Sequence, residues 1–172
     1  MSPAGIPMFY ASEDAATAVM EISTGGNSTF VIGEFELLRP AVVLNLTNIP
    51  AVPSLFDGAQ FQQDREALSF LRYFGREMSK PIRRDQRAHI EYVPTQVVTE
   101  YFRSFYRYEG KPIDGIRYLS AQNKKSSYVF FADQNDVVPS RRDLANLSEE
   151  KLLAIRLHKP WIKLVSKTSY LS

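Results

Sequence analysis

The spacing of apolar and polar positions changes several times along the chain, and each change predicts an element. Ile6 to Ala11 is a short apolar run behind a Pro/Gly-rich entry of Pro3, Gly5 and Pro7, and it reads as a strand. Ser12 then opens a helical stretch from Asp14 to Glu21, which ends on a carboxylate. This puts Tyr10 at the end of a strand and Glu21 further along the helix that follows. Across residues 29–38, Val31, Phe35 and Leu37 alternate with Glu34 and Glu36, the pattern of a half-buried strand. Ala41 to Leu46 is a β-branched run and reads as the next strand, with a loop at Pro50 and Pro53. Leu68, Leu71, Phe74 and Met78 fall at helical spacing, so residues 64–78 read as an amphipathic helix. Pro94 suits a first helical turn, and Val97, Tyr101 and Phe105 follow at every fourth position. Ile116 to Ser120 and Ser127 to Ala132 read as two strands, Leu147 to Ile155 as a helix, and Trp161 to Val165 as a last strand. Strands and helices mix without a strict βαβ rhythm, so the expected class is α+β.

Composition narrows the classes of function. A chain of 172 residues, 44% apolar, is most simply one domain, residues 1–172, with a real hydrophobic core. A net charge of +2 is too mild to argue for nucleic acid. There is no Cys, which removes disulfides and thiolate metal sites. The longest uncharged stretch, Pro40 to Phe56, holds three prolines and two asparagines and is not a membrane span. No basic segment followed by an apolar core opens the chain, so the expected compartment is cytoplasmic.

Common motifs are missing. Gly25-Gly26 alone is not a dinucleotide fingerprint, and no Gly-rich loop ends in Lys-Ser or Lys-Thr. His89 and His158 are isolated, which makes a metal site a poor expectation. Lys80, Arg83, Arg84 and Arg87, with Arg72 and Arg76 before them, could touch phosphates. The plainer reading is a solvated helix end whose cations suit the C-terminal dipole. Asp85 interrupts the run and no aromatic residue interleaves it, so nucleic acid is disfavoured.

Taken singly, Tyr10 reads as a strand-end aromatic, Glu21 as a solvated helix carboxylate and Ser120 as a strand-end hydroxyl. Taken together, their segments resemble one family. PAGIPMFYASEDAATAVME, residues 3–21, resembles the opening of the RES domain, named for its Arg, Glu and Ser. EYVPTQVVTEYFR, residues 91–103, and DGIRYLSAQNKKSSYVFF, residues 114–131, resemble its central and C-terminal blocks. The three blocks cover about a third of the chain, in the family's order. The wording at Pro3 to Tyr10 is closest to the branch in which a helical domain precedes the RES domain.

The resemblance implies an ADP-ribosyltransferase-like mixed sheet with flanking helices. It implies bacterial toxins of toxin–antitoxin pairs, with NAD as substrate, no added cofactor and an antitoxin protein as partner. On this pattern Tyr10 matches the aromatic beside the nicotinamide, Glu21 the acid and Ser120 the serine. The expected reaction is cleavage of the nicotinamide–ribose bond by phosphate or water. The alternatives are a protein ADP-ribosyltransferase and an inactive interaction module. The residue types suit the chemistry. Nicotinamide leaves a cationic nitrogen as a neutral base, so no general acid is needed. A carboxylate can stabilise the ribosyl cation that remains. Tyr10 can stack on the ring, and Ser120 can donate to the amide or the diphosphate. One position departs from the pattern: the family's Arg would fall immediately before Met1, and Arg39 and Arg117 do not match it. The expectation is therefore an N-terminally truncated RES-like domain.

Overall fold

The computed structural model describes residues 5–23, 29–80, 93–138, 153–155 and 165–166. Strand β1 (Phe9–Ser12) leads into helix α1 (Ala15–Ile22), whose start is set by Asp14. The Asp14 side chain accepts from the backbone N–H of Thr17, the usual remedy for an unpaired donor in a first helical turn. Two short strands follow, β2 (Thr29–Phe30) and β3 (Phe35–Leu37), then β4 (Val43–Asn45). Helix α2 (Gln62–Met78) buries Phe74 and Met78, and α3 (Val93–Ser104) buries Thr95, Thr99 and Phe102. A tight hairpin joins β5 (Arg107–Tyr108) to β6 (Lys111–Pro112) through Glu109 and Gly110, both at positive φ. Strands β7 (Gly115–Leu119) and β8 (Ser126–Phe130) follow, then β9 (Val137–Val138), β10 (Leu153–Ile155) and β11 (Val165–Ser166).

The main sheet has the order β1-β8-β7-β4, so the fold is α+β with a mixed sheet and flanking helices. β8 is antiparallel to both β1 and β7, whereas β4 runs parallel to β7. A parallel pair needs a long crossover, and the segment carrying α2 and α3 supplies it. Register then decides which residues meet. Tyr10 stands opposite Val129, and Val129 opposite Ile116. One row on, Ser12, Ser127 and Tyr118 are aligned. Because side chains alternate along a strand, these two rows share one face. On it Ile116, Tyr118 and Val129 pack with Leu46, Phe74, Met78 and Phe102. Ile116 and Val129 are fully buried, each contributing about 1.5–3 kcal/mol of apolar transfer. The opposite face carries Phe130 and Ala132, packed by Phe9, Ala11, Val43 and Tyr128.

Most expected elements are present, and four readings change. Residues 29–38 do not form one strand: β2 and β3 are separated at 31–34. Their apolar side chains do not face a core either, since Phe35 and Leu37 are exposed and Glu36 is the less accessible. Alternation marks two different faces but does not say which is covered, and these strands lie outside the main sheet. Helix α3 exists, yet Val97, Tyr101 and Phe105, which announced it, are 63%, 52% and 73% exposed. The helix turns its Thr95–Thr99–Phe102 stripe inward instead. Residues 153–155, expected to be helical, form β10, antiparallel to β3 and parallel to β9. A short apolar run does not distinguish strand from helix, and the pairing partners settled it. Tyr10 is the second residue of β1, not its end. The connector at 81–87, residues 147–152 and residues 161–164 lie outside the described residues.

Candidate active site

Helix α1 is fastened where β7 turns into β8. Thr17 is fully buried; its Oγ1 donates to Asp14 Oδ2 (2.8 Å) and accepts from Asn123 Nδ2 (2.8 Å). Lys125 adds an ion pair to Asp14 at 3.3 Å. The Thr17 hydrogen bonds, backbone first, hold the Asp14 carboxyl below the usual carboxylate range. These contacts fix the azimuth of a helix only eight residues long. Glu21 lies one turn beyond Thr17, on the same stripe.

Three side chains converge there. Tyr118, nearly buried on β7, has its phenol pushed far above its ordinary pKa, by burial first and then by Glu21 and Tyr10. The carboxylate and the second phenol therefore lie within electrostatic reach of the Tyr118 hydroxyl. Glu21 Oε1 is one of two buried side-chain oxygens, among the described residues, with no hydrogen-bond partner. A buried polar atom left unpaired is costly in a folded protein, so this orphan carboxylate oxygen suits a site that meets a ligand. Tyr10 is 44% exposed, so this corner of the sheet face opens to solvent at β1.

Ser120 stands apart in character. Alternation puts it on the same face as Ile116 and Tyr118, and its N–H extends the ladder to Lys125 O (2.8 Å). It is fully buried, and its hydroxyl accepts from the Gln122 N–H at 3.1 Å, within its own turn. Sequence reasoning missed Tyr118. The signal was available, because Ile116, Tyr118 and Ser120 share one parity in a strand that ends at a candidate residue.

Arg39 and Arg117 are both paired with carboxylates. Arg39 forms a fork with Asp114 (Nη2–Oδ1 2.6 Å, Nη1–Oδ2 3.1 Å), which also accepts from the Val42 N–H. Arg117, on the opposite face from Tyr118, donates to Glu13 Oε1 (2.9 Å), and the Tyr128 hydroxyl donates to the same oxygen. A groove of about 550 Å³ runs between β1, α1 and residues 30–35. Tyr10 and Ser12 line it, but Glu21 and Ser120 do not; it opens on the Ala15–Val19–Ile22 side of α1. No helix among the described residues is long and apolar enough to cross a membrane.

No curated protein and no solved structure matches the chain. A family model described as the RES domain matches residues 1–151, so the chain belongs to the RES domain family.

Proposed function

We propose that the chain cleaves NAD at the bond between nicotinamide and ribose, as the toxin of a toxin–antitoxin pair. The single observation that carries this is the buried Oε1 of Glu21, which has no hydrogen-bond partner, on a side chain within electrostatic reach of the Tyr118 phenol; membership of the RES family supports NAD as the substrate. In this reading the C1′–N bond breaks and its electron pair returns to the ring nitrogen, which becomes neutral. Positive charge is left on the ribose. A fixed carboxylate at that point is worth far more than one in water, because it needs no reorganisation as the charge develops. An oxygen of phosphate or water then forms the new C1′–O bond; a water nucleophile gives its proton to solvent. Tyr10, half exposed at the opening, stacks on the nicotinamide. The antitoxin, in the same reading, is a protein that blocks this opening.

A second reading is an inactive binding module. It is favoured by Ser120, whose hydroxyl is fully buried in its turn, and by the pairing of Arg39 and Arg117 with carboxylates. The test is incubation with NAD, with and without inorganic phosphate, following nicotinamide release. Release that depends on phosphate identifies phosphorolysis, and release without phosphate identifies hydrolysis. Intact NAD under both conditions rejects the enzyme reading in favour of the module.

A further inference from the structure

A second groove, of about 620 Å³, lies at the carboxyl ends of the parallel strands β4 and β7, against one side of α2. Among the described residues, every charged one lining it is a cation: Arg72 and Arg76 from α2 and Lys124 from the β7–β8 turn. No carboxylate among the described residues lines it, while Ser69, Ser79 and Asn48 add neutral donors. The Thr47 hydroxyl is already given to Asn45 Oδ1.

Local structure accounts for these cations only in part. Arg72 and Arg76 are four apart on one helix, where like charges repel. Arg76 is in the last turn, where the helix dipole favours a cation, but Arg72 is a turn earlier and Lys124 is not on the helix. Glu77, which follows Arg76 in α2, is paired with Lys80. Arg72 is aimed, not loose: its Nη1 donates to Pro50 O at 3.0 Å, leaving its other N–H groups free to bind. The Arg76 guanidinium lies over the Tyr73 ring at 6.0 Å. Lys124 adopts φ 61°, the left-handed region that glycine favours, and its N–H is tied to Ser120 O (3.1 Å). Gly75 forms part of the wall, and a Cβ there would sit 3.4 Å from the Leu46 Cβ.

We infer that this groove binds the phosphate or diphosphate group of a small ligand, held between Arg72 and Arg76 on one wall and Lys124 on the other. Arginine forks match phosphate oxygens, and a lysine supplies the opposing point charge. The inference does not rest on NAD cleavage, because it concerns the binding of an anion, which is read without turnover.

The test is an NMR titration of the ¹⁵N-labelled chain with inorganic phosphate, pyrophosphate and AMP, at ionic strength matched with sodium chloride. Saturable shifts are expected at Ser69–Ser79 and Leu119–Lys124, with pyrophosphate binding tighter than phosphate. AMP tighter than phosphate identifies a nucleotide as the source; equal affinity identifies free phosphate. Arg72→Gln/Arg76→Gln should weaken pyrophosphate by about tenfold or more, as expected for losing charged hydrogen bonds. Lys124→Gly removes a cation where glycine is the easier residue, so it should fold at least as well and still bind more weakly. The inference is overturned if none of the three anions gives saturable shifts, if the shifts fall on β1 and α1 instead, or if folded Lys124→Gly binds pyrophosphate as tightly as the parent.

Discussion

Glu21→Gln should move activity and stability in opposite directions. In the folded chain Glu21 Oε1 is buried and unpaired. Leaving a buried polar group unsatisfied costs about 1–3 kcal/mol, and more when it is charged. Glutamine keeps the shape and removes the charge, so the variant should gain about 1 kcal/mol. For a domain of this size that raises Tm by roughly 2–4 °C. Nicotinamide release should fall about a hundredfold, the effect of losing one aimed electrostatic group and equivalent to about 2.7 kcal/mol of barrier. The two assays are a thermal melt and a timed measurement of nicotinamide from NAD, on the same preparation. A melt several degrees lower together with unchanged release would refute the reasoning, because it would make Glu21 a structural carboxylate. A higher melt together with unchanged release would remove it from the reaction while leaving the burial argument intact.

Tyr10→Phe should retain more nicotinamide release than Tyr10→Ala, because stacking needs the ring; equal losses in a steady-state assay would show that the ring is not the working part. Gly115→Ala should destabilise by about 1–3 kcal/mol or more in urea unfolding. Its Cβ would press on Val129 O and sit 3.0 Å from the Phe130 Cα, so the β7–β8 pairing has to spread. A change below about 0.5 kcal/mol would contradict that contact. Asp14→Ala should cost about 1 kcal/mol at neutral pH through loss of the α1 cap. The Asp14 carboxyl is held below its unfolded value of about 4. Its contribution is therefore full above that pH and is lost as pH falls through the folded value. Urea curves at pH 7 and pH 3 should show the gap between the parent and Asp14→Ala narrowing in acid. A constant gap would mean that the ionised carboxylate is not what the cap uses.

Local chemistry decided a good part of this protein from the sequence alone. The helical stretch from Asp14 to Glu21 was legible because helical periodicity acts within a few residues, although Asp14 caps it and Ser12, read as its opener, lies in β1. The helix over residues 62–78 and the strands 115–119 and 126–130 were legible for the same reason. The wording around Tyr10, Glu21 and Ser120 carried the family, because a motif is written in order along the chain. What lay beyond reach of local reading was every question of which face is covered. Val97, Tyr101 and Phe105 spell a helix, yet α3 buries its threonines, because the sheet and α2 lie on that side. Leu153–Ile155 became a strand only because residues 35–37 and 137–138 were there to pair with it. The meeting of Tyr10, Glu21 and Tyr118 depends on the order β1-β8-β7, on a register that puts their residues on one face, and on Asn123 clamping α1. These are contacts between residues about a hundred positions apart, chosen by burial and backbone pairing over the whole sheet, and no local window contains them.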